Sequence, residues 1–565
     1  MKIKFIGAIK SVTGSCFLLT FNVNGASRNA LIDCGMYQGA KEDELLNYSE
    51  FPFDARAIDY VFLTHVHIDH SGLIPKLVKN GFNGKIISTR ATFDLSDIML
   101  RDSARIQQTE TERYNRRRLR LGKEPKEPIY TEEDAKNALK FFEPVDYNRP
   151  YEAYPGITAT FHDAGHVLGS AFVKFDITEN GEKYKIVFSG DVGNMPVPIL
   201  KDPEAINDAD YIVMESTYGD RIRNNDKDRS DELARIINET ITAGGKVIIP
   251  SFAVGRTQEL IYEMHGMLDG KKIPSVPIYI DSPLACNATE IFRKHMECFD
   301  AEMVEYLKRS DDPFNFSNIF YASEAQESRA INQVNSPQII ISSSGMANNG
   351  RILHHLKYNI FKKECTVLFV GYQAFGTIGR QITDGEKLIN IMGEKYSVNA
   401  RVESIHGYSA HADQSGLLKW LATSAAKPRN VFLVHGETEA KNTLQAKLSE
   451  NGYSSIVPSL LDEFEIKSAT SFVKMDFKAA PEFRTADFEA KPQKAAETVK
   501  PETEIDYTKK PLNKIVPVSM PFIPPDNILE KISKKELIKL FKEFRSQLQS
   551  MESRIDNFIS RISKR

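Results

Sequence analysis

A chain of 565 residues with 41% hydrophobic and 26% charged side chains has an ordinary globular composition and enough apolar residues for two or three real cores. Its formal charge of −3 excludes a global basic field, so any nucleic-acid binding must come from local patches of Lys and Arg. Five cysteines, odd in number, far apart and in no CxxC pair, exclude a disulfide framework or a zinc knuckle and read as reduced thiols. The opening MKIKFIGAIK lacks the apolar core of a signal peptide and no run of 18 apolar residues occurs. A cytoplasmic protein without a membrane segment is expected.

In chain order, the first 215 residues alternate short β-branched runs with turn signals: KIKFIGA, CFLLTFNV, NALIDCG, YVFLTH, KIISTR, ATFHDAG, KYKIVFSGD and YIVMEST. Several end directly in polar clusters, which is how strands deliver site residues to loops. The stretch Arg113–Lys126 (RYNRRRLRLGKEPK) is the most basic local patch, either a guide for a nucleic-acid backbone or a solvated helix face. Residues 231–268 and 286–310 are helix-like. VIIPSFAVGRTQEL, IIISSSGMANNGRILHHL and VLFVGYQAFGTIGRQI each read strand, loop, helix, which predicts an α/β unit across roughly 217–395. From 398 the short-strand style returns with NARVESI, NVFLVHG, FEIKSAT and SFVKMDF. Residues 479–526, rich in Lys, Glu, Pro, Thr and Ala, read as a flexible linker. In 527–565, Ser533 and Glu536 are spaced as a capping box. Leu537, Phe541, Phe544, Leu548, Met551, Ile555, Phe558 and Ile562 then form a heptad seam. A coiled-coil-like helix that makes the chain a homo-oligomer is the leading expectation, with docking on the chain's own body as the other.

The chemistry concentrates in Thr64-His65-Val66-His67-Ile68-Asp69-His70-Ser71-Gly72, directly after a strand-like run. Three imidazoles and a carboxylate in six residues, in a protein with 12 His, suit zinc and its neighbours. His65 and His67 face one way and can share an ion; Asp69 and His70, just around the turn, can hold a second. His166 in DAGHVLGS, Asp191 in FSGDVGN and His435 in NVFLVHGE each follow a strand-like run. Together they predict His65, His67 and His166 on one ion and Asp69, His70 and His435 on the other, bridged by Asp191. Two Zn2+ per chain, with Mn2+ as the alternative, would acidify a bridging water to hydroxide and clamp an in-line displacement.

HVHIDHSG, GHVLGS and SGDVG resemble the metallo-β-lactamase superfamily, with Asp33 of LIDCG matching the acidic residue that ends an early strand. The resemblance implies an α/β fold, an αββα sandwich with metals at one edge, Asp33 orienting ligands from behind. Some 243 residues separate Asp191 from His435, and they carry marks similar to the β-CASP nucleases. Glu215 in MESTYGDR resembles that family's first extra motif, His411 in GYSAHAD the second and His435 in VHGE the third. PSFAVGRTQEL, DSPLACNATEIFRKHMECFD, SSSGMANNGRILHHL, GYQAFGTIGRQI and YTEEDA also match. The resemblance covers roughly 1–475, and its nearest branch is the bacterial and archaeal relatives of the mRNA 3′-end-processing endonuclease. It departs at Asn349, where the family often has Gly, and at Phe375, where it often has Pro; Phe375 would stack on a base or plug an apolar gap. The implied domains are a metallo-β-lactamase domain in two parts, 1–216 and 396–478, around an inserted α/β β-CASP domain, 217–395.

The implied activity is a metal-dependent ribonuclease on single-stranded RNA. A phosphodiester attacked by hydroxide must expel an alkoxide, which wants a proton. His411 is the candidate acid, with Glu215 orienting its imidazole and Asp69 the third catalytic residue. The blander reading makes SAHAD a helix N-terminus with a capping serine, and both can hold. Glycine- and serine-rich loops opening helices offer N–H groups to phosphates. Ser343, Ser344, Gly345 and Gly376 are candidates, with Arg256, Arg351 and Arg380 just inside the following helices; each loop could also be packing punctuation. The rivals are a hydrolase of a small ester or of DNA, and an RNA-binding scaffold with a decayed site. Endonucleolytic and exonucleolytic modes both stay open.

Overall fold

The computed structural model describes residues 1–474 except 40, 180, 223–226, 310–311, 375 and 467–472. The expected linker and heptad helix, and Phe375, lie outside the described residues. Two twisted sheets face each other. The first has eight strands in the order Val473–Lys474, Glu463–Glu465, Lys2–Phe5, Phe17–Val23, Ala26–Ile32, Tyr60–Phe62, Lys85–Thr89, Phe142–Val145. The second has seven: Ser455–Ile456, Asn430–Val434, Tyr211–Glu215, Glu182–Phe188, Ala171–Glu179, Ile157–Asp163, Tyr151–Tyr154. Phe17–Val23 begins by alternating buried and half-buried residues, the period a sheet with one core face requires.

Phenylalanines from both sheets fill the space between. Phe62 of the first meets Phe175 of the second edge to face at 5.0 Å, and Phe175 meets Phe188 at 5.9 Å. Helices cover both outer faces. Ile74–Lys79, Arg90–Arg120 and Glu132–Leu139 lie over the first sheet, around buried Leu77, Leu100 and Ala135. Gln414–Leu421 and Thr438–Glu450 lie over the second, around Trp420 and Leu444. The order helix, sheet, sheet, helix is the expected sandwich. Phe175 is fully buried at its centre, so Phe175→Ala should cost about 3–5 kcal/mol. Denaturant unfolding should show the loss, and Phe175→Leu should recover most of it.

Between Tyr211–Glu215 and Asn430–Val434, which pair in parallel, the chain leaves to build a third sheet. Its six strands are all parallel, in the order Ile319–Tyr321, Ile278–Ile280, Gln338–Ser342, Lys246–Pro250, Thr366–Phe369, Arg401–Ser404. Lys246–Pro250 and Gln338–Ser342 are buried throughout, as parallel strands covered on both faces must be. Two expectations need correction. The helix-like stretch 231–268 is interrupted: Lys227–Thr242 ends at Gly244, which is in left-handed backbone (φ 78°), and Lys246–Pro250 runs as a strand before the next helix, Arg256–Asp269. Arg401–Ser404, expected to rejoin the first domain at 396, pairs instead with Thr366–Phe369 in the third sheet. The return to the sandwich comes after Ser404. The 31-residue helix Arg90–Arg120, capped by Thr89, was expected only at its basic end: Arg113–Arg120, read as a possible helix face, forms its last turns.

Candidate metal centre and cleft

The ends of the sandwich strands converge on one edge. Tyr60–Phe62 leads to His65 and His67, and the short helix Ile68–Ser71 carries Asp69 and His70. Ile157–Asp163 leads to His166, Glu182–Phe188 to Asp191, and Asn430–Val434 to His435. Asp33 (φ 58°) and His435 (φ 49°) are in left-handed backbone, a conformation non-glycine residues adopt where surroundings hold them. A side chain at Gly35 would begin 1.7 Å from the Asp69 carbonyl oxygen, so only glycine lets the two loops meet.

The donor atoms fall into two groups sharing one acid. His65 Nε2 is 3.1 Å from His67 Nδ1, which is 3.2 Å from His166 Nε2. Asp191 Oδ2 is 3.5 Å from His65 Nε2 and 3.6 Å from His166 Nε2. On the other side, His70 Nε2 is 3.3 Å from His435 Nε2, which is 3.4 Å from Asp69 Oδ2, and Asp191 Oδ1 is 3.4 Å from His70 Nε2. Ligands of a tetrahedral ion at zinc–nitrogen distances stand about 3.3 Å apart, and these separations match. Asp191 Oδ1 is buried yet accepts no hydrogen bond, as an oxygen meant for a cation would be. Burial lowers the pKa of His65 and of His166, keeping both imidazoles neutral with lone pairs available. Burial also opposes charge on His70, but Asp191 and Asp33 outweigh it and raise its pKa. These residues fit a divalent metal.

Behind them, Asp33 accepts from His70 Nδ1–H (2.7 Å), from the Thr64 amide (2.8 Å) and from the Thr64 hydroxyl (2.9 Å). The Thr64 oxygen in turn accepts from His65 Nδ1–H at 3.1 Å. Thr217 does the same for His435 Nδ1–H at 3.1 Å. Each bond fixes a tautomer and turns Nε2 toward the cluster. Sequence reasoning gave neither threonine a role, although Thr64 opens the metal motif and Thr217 follows Glu215 closely.

Glu215 ends its strand fully buried, accepting from the Val192 amide at 2.6 Å and the Thr217 amide at 3.3 Å. Both its oxygens are 3.2 Å from His411 Nδ1. Burial opposes the imidazolium, but Glu215 and Asp191 outweigh it and raise the His411 pKa to about 9. His411 is held by flanking backbone: the Asn194 amide donates to Ala410 O and the Ala412 amide to Val192 O, both at 2.8 Å. The helix after it starts at Gln414 and is capped by Asp413, whose side chain accepts from the Gly416 amide at 2.8 Å. The cap is therefore Asp413 and not the serine of SAHAD, and His411 precedes it.

The third sheet brings its expected loops together at the C-terminal ends of its central strands. The Gln373 amide donates to Gly345 O at 3.0 Å, and the Gly379 N–H donates to Met346 O at 3.1 Å. Ser343 Oγ lies 2.8 Å from Ser282 Oγ, Ser344 Oγ accepts from the Asn348 amide at 3.2 Å, and Gly376 has open space around it. Arg380 sits exposed beside Asp384 at 2.8 Å. Arg256 and Arg351 turn inward instead. Arg256 pairs with Glu259 and lies 5.3 Å over the Tyr408 ring. Arg351 donates to Asp281 at 2.7 Å and to the Ala322 and Ser323 carbonyls at 3.0 and 2.6 Å. Both brace loops from within.

Three family models match in succession: the metallo-beta-lactamase superfamily over 11–220, the Beta-Casp domain over 257–382, and the Zn-dependent metallo-hydrolase RNA specificity domain over 395–458. The chain is 35% identical to Ribonuclease TTHA0252 of Thermus thermophilus over 452 residues, 80% of this chain and 97% of the relative. It is 32% identical to Transcription termination factor FttA of Methanocaldococcus jannaschii, over 83% of this chain and 72% of that protein. The Pyrococcus abyssi factor of the same name gives 32% with the same coverage. A sandwich with metal-type donors at one edge, opened by a parallel-sheet insertion and matched along nearly the full length of a relative, places this chain in the β-CASP family of the metallo-β-lactamase superfamily.

Proposed function

We propose that this protein is a ribonuclease that hydrolyses phosphodiester bonds of single-stranded RNA with two Zn2+ per chain, Mn2+ being the alternative. The observation that carries the reading is the two-sided donor cluster around Asp191 with the Glu215–His411 pair against it. RNA as substrate is supported by the RNA specificity domain match and by the ribonuclease among the relatives. When bound, a pair of divalent ions supplies Lewis acidity and an acidified water at neutral pH.

His65, His67 and His166 would hold one ion and Asp69, His70 and His435 the other, with Asp191 as the acid shared by both groups. Asp33, Thr64 and Thr217 fix the ring orientations. Glu215 holds the proton on His411 Nδ1, leaving Nε2 to give its proton to the departing oxygen. Ser343, Ser344, Gly376 and Arg380 receive phosphates along the inserted domain. Among the described residues no helix is long and apolar enough to cross a membrane; a cytoplasmic setting and self-association through 527–565 complete the proposal.

The test is cleavage of 5′-labelled single-stranded RNA by wild type and by Asp69→Ala/His70→Ala, with metal content measured on both. Wild type alone should cut, with about two metals per chain that fall in the variant. A fully metallated wild type inert on several RNAs would point to a small ester or to a partner-dependent activity. A matched DNA strand cut in preference would move the substrate to DNA.

A further inference from the structure

Two large aromatic side chains remain exposed on the loops that face the metal edge. Phe252 follows the strand Lys246–Pro250 and is 46% exposed; Tyr372 follows Thr366–Phe369 and is 45% exposed. Leaving that much aromatic surface in water forfeits hydrophobic stabilisation, and neither position is on a loose tip. The Phe252 carbonyl accepts from the Thr257 hydroxyl at 2.7 Å, the Thr257 amide at 3.3 Å and the Ser251 hydroxyl at 3.3 Å. Its ring fits against two glycines: a side chain at Gly345 would begin 3.0 Å from the ring, and one at Gly371 would begin 3.9 Å away. Gly371 immediately precedes Tyr372, so the loops that carry the two aromatics meet there and form one ledge.

The ledge adjoins the metal centre on its His166 side. Phe252 shares its loop with Gly255, whose Cβ position is 3.5 Å from Val167, the residue after His166. Tyr372 sits between Gly371 and Gln373, and the Gln373 amide donates to Gly345 O at 3.0 Å and to Gly371 O at 3.1 Å, which ties its loop to the one beneath Phe252.

Resting on the ribonuclease reading, we propose that Phe252 and Tyr372 form a stacking site for the nucleobases next to the scissile phosphodiester. Aromatic rings accept any base, because every base offers a π-face, so the site gives RNA affinity without a sequence requirement. The Gly- and Ser-rich loops beside it take the backbone, and the rings hold the bases splayed from it. Phosphate contact alone positions the strand by charge; stacking fixes which phosphodiester enters the centre.

The test places 2-aminopurine at successive positions of a single-stranded RNA and follows its fluorescence by stopped flow before cleavage. Wild type should quench the reporter at one or two adjacent positions. Phe252→Leu and Tyr372→Leu, on separate loops, should each relieve that quench and raise KM about tenfold, with kcat within about twofold. An abasic nucleotide at the quenched position should raise the wild-type KM similarly and add little in the variants, as groups sharing one interaction behave. Tyr372→Phe should keep both quench and KM. Quench and KM unchanged in both leucine variants, with wild type cutting RNA normally, would overturn the stacking site and leave the ribonuclease reading standing. Wild type that neither binds nor cuts the RNA would overturn both.

Discussion

Asp191→Ala is expected to empty both metal positions and to slow RNA cleavage at least about a thousandfold, since the ions are worth several kcal/mol of transition-state stabilisation. Among the described residues, Asp191 is the acid whose two oxygens face both donor groups: Oδ2 toward His65 and His166, Oδ1 toward His70. Around it stand imidazoles, which bind a cation only through lone pairs. Removing the one shared negative charge leaves them to hold two dications with Asp69 alone. Asp191→Asn keeps the shape and should fail nearly as badly, which separates charge from packing. His435→Ala removes a donor from one group only and should leave about one metal per chain. Elemental analysis of the three variants, paired with cleavage rates, checks the pattern. Two metals retained in Asp191→Ala would rule out the bridging role.

The ligands are legible in the sequence for a chemical reason. Metal chemistry restricts donors to a few side-chain types, and strand ends put them in short motifs, so HVHIDHSG and SGDVG announce themselves. The supporting hydroxyls do not. Thr64 and Thr217 are ordinary residues whose role exists only because Asp33 and His435 arrive from elsewhere in the chain. Arg256 and Arg351 show the reverse: a guanidinium near a glycine-rich loop reads as a phosphate ligand, yet its partner is chosen in three dimensions. Glu259 and Asp281 were already there. Arg401–Ser404 carries no mark of which sheet it joins, because a parallel strand's partner is set by the crossover and not by its own residues. The helix Arg90–Arg120 shows in the sequence only at its basic end, as a solvated face, for a different reason. Its last turns are exposed and strongly charged, so no apolar stripe runs its length to reveal it.

His411→Ala should leave metal content unchanged while cutting the cleavage rate about 10²–10⁴-fold, the usual worth of a general acid. Its ring touches the centre through Asp191 at 3.8 Å but belongs to neither donor group. The imidazole is held from behind by both oxygens of Glu215, which is itself fixed by two backbone amides. Such a carboxylate keeps Nδ1 protonated and turns Nε2 outward, and a departing alkoxide needs that proton most. The sharper test changes the leaving group. Replacing the bridging oxygen of the scissile bond with sulfur gives a thiolate that leaves without protonation, so the variant should then run close to wild type. Glu215→Gln should behave as a milder His411→Ala, because the amide still orients the ring but no longer stabilises its charge. If the sulfur substrate rescued neither variant while metals stayed in place, His411 would be a binding group for the phosphate. A rise in KM with kcat preserved would then be its signature.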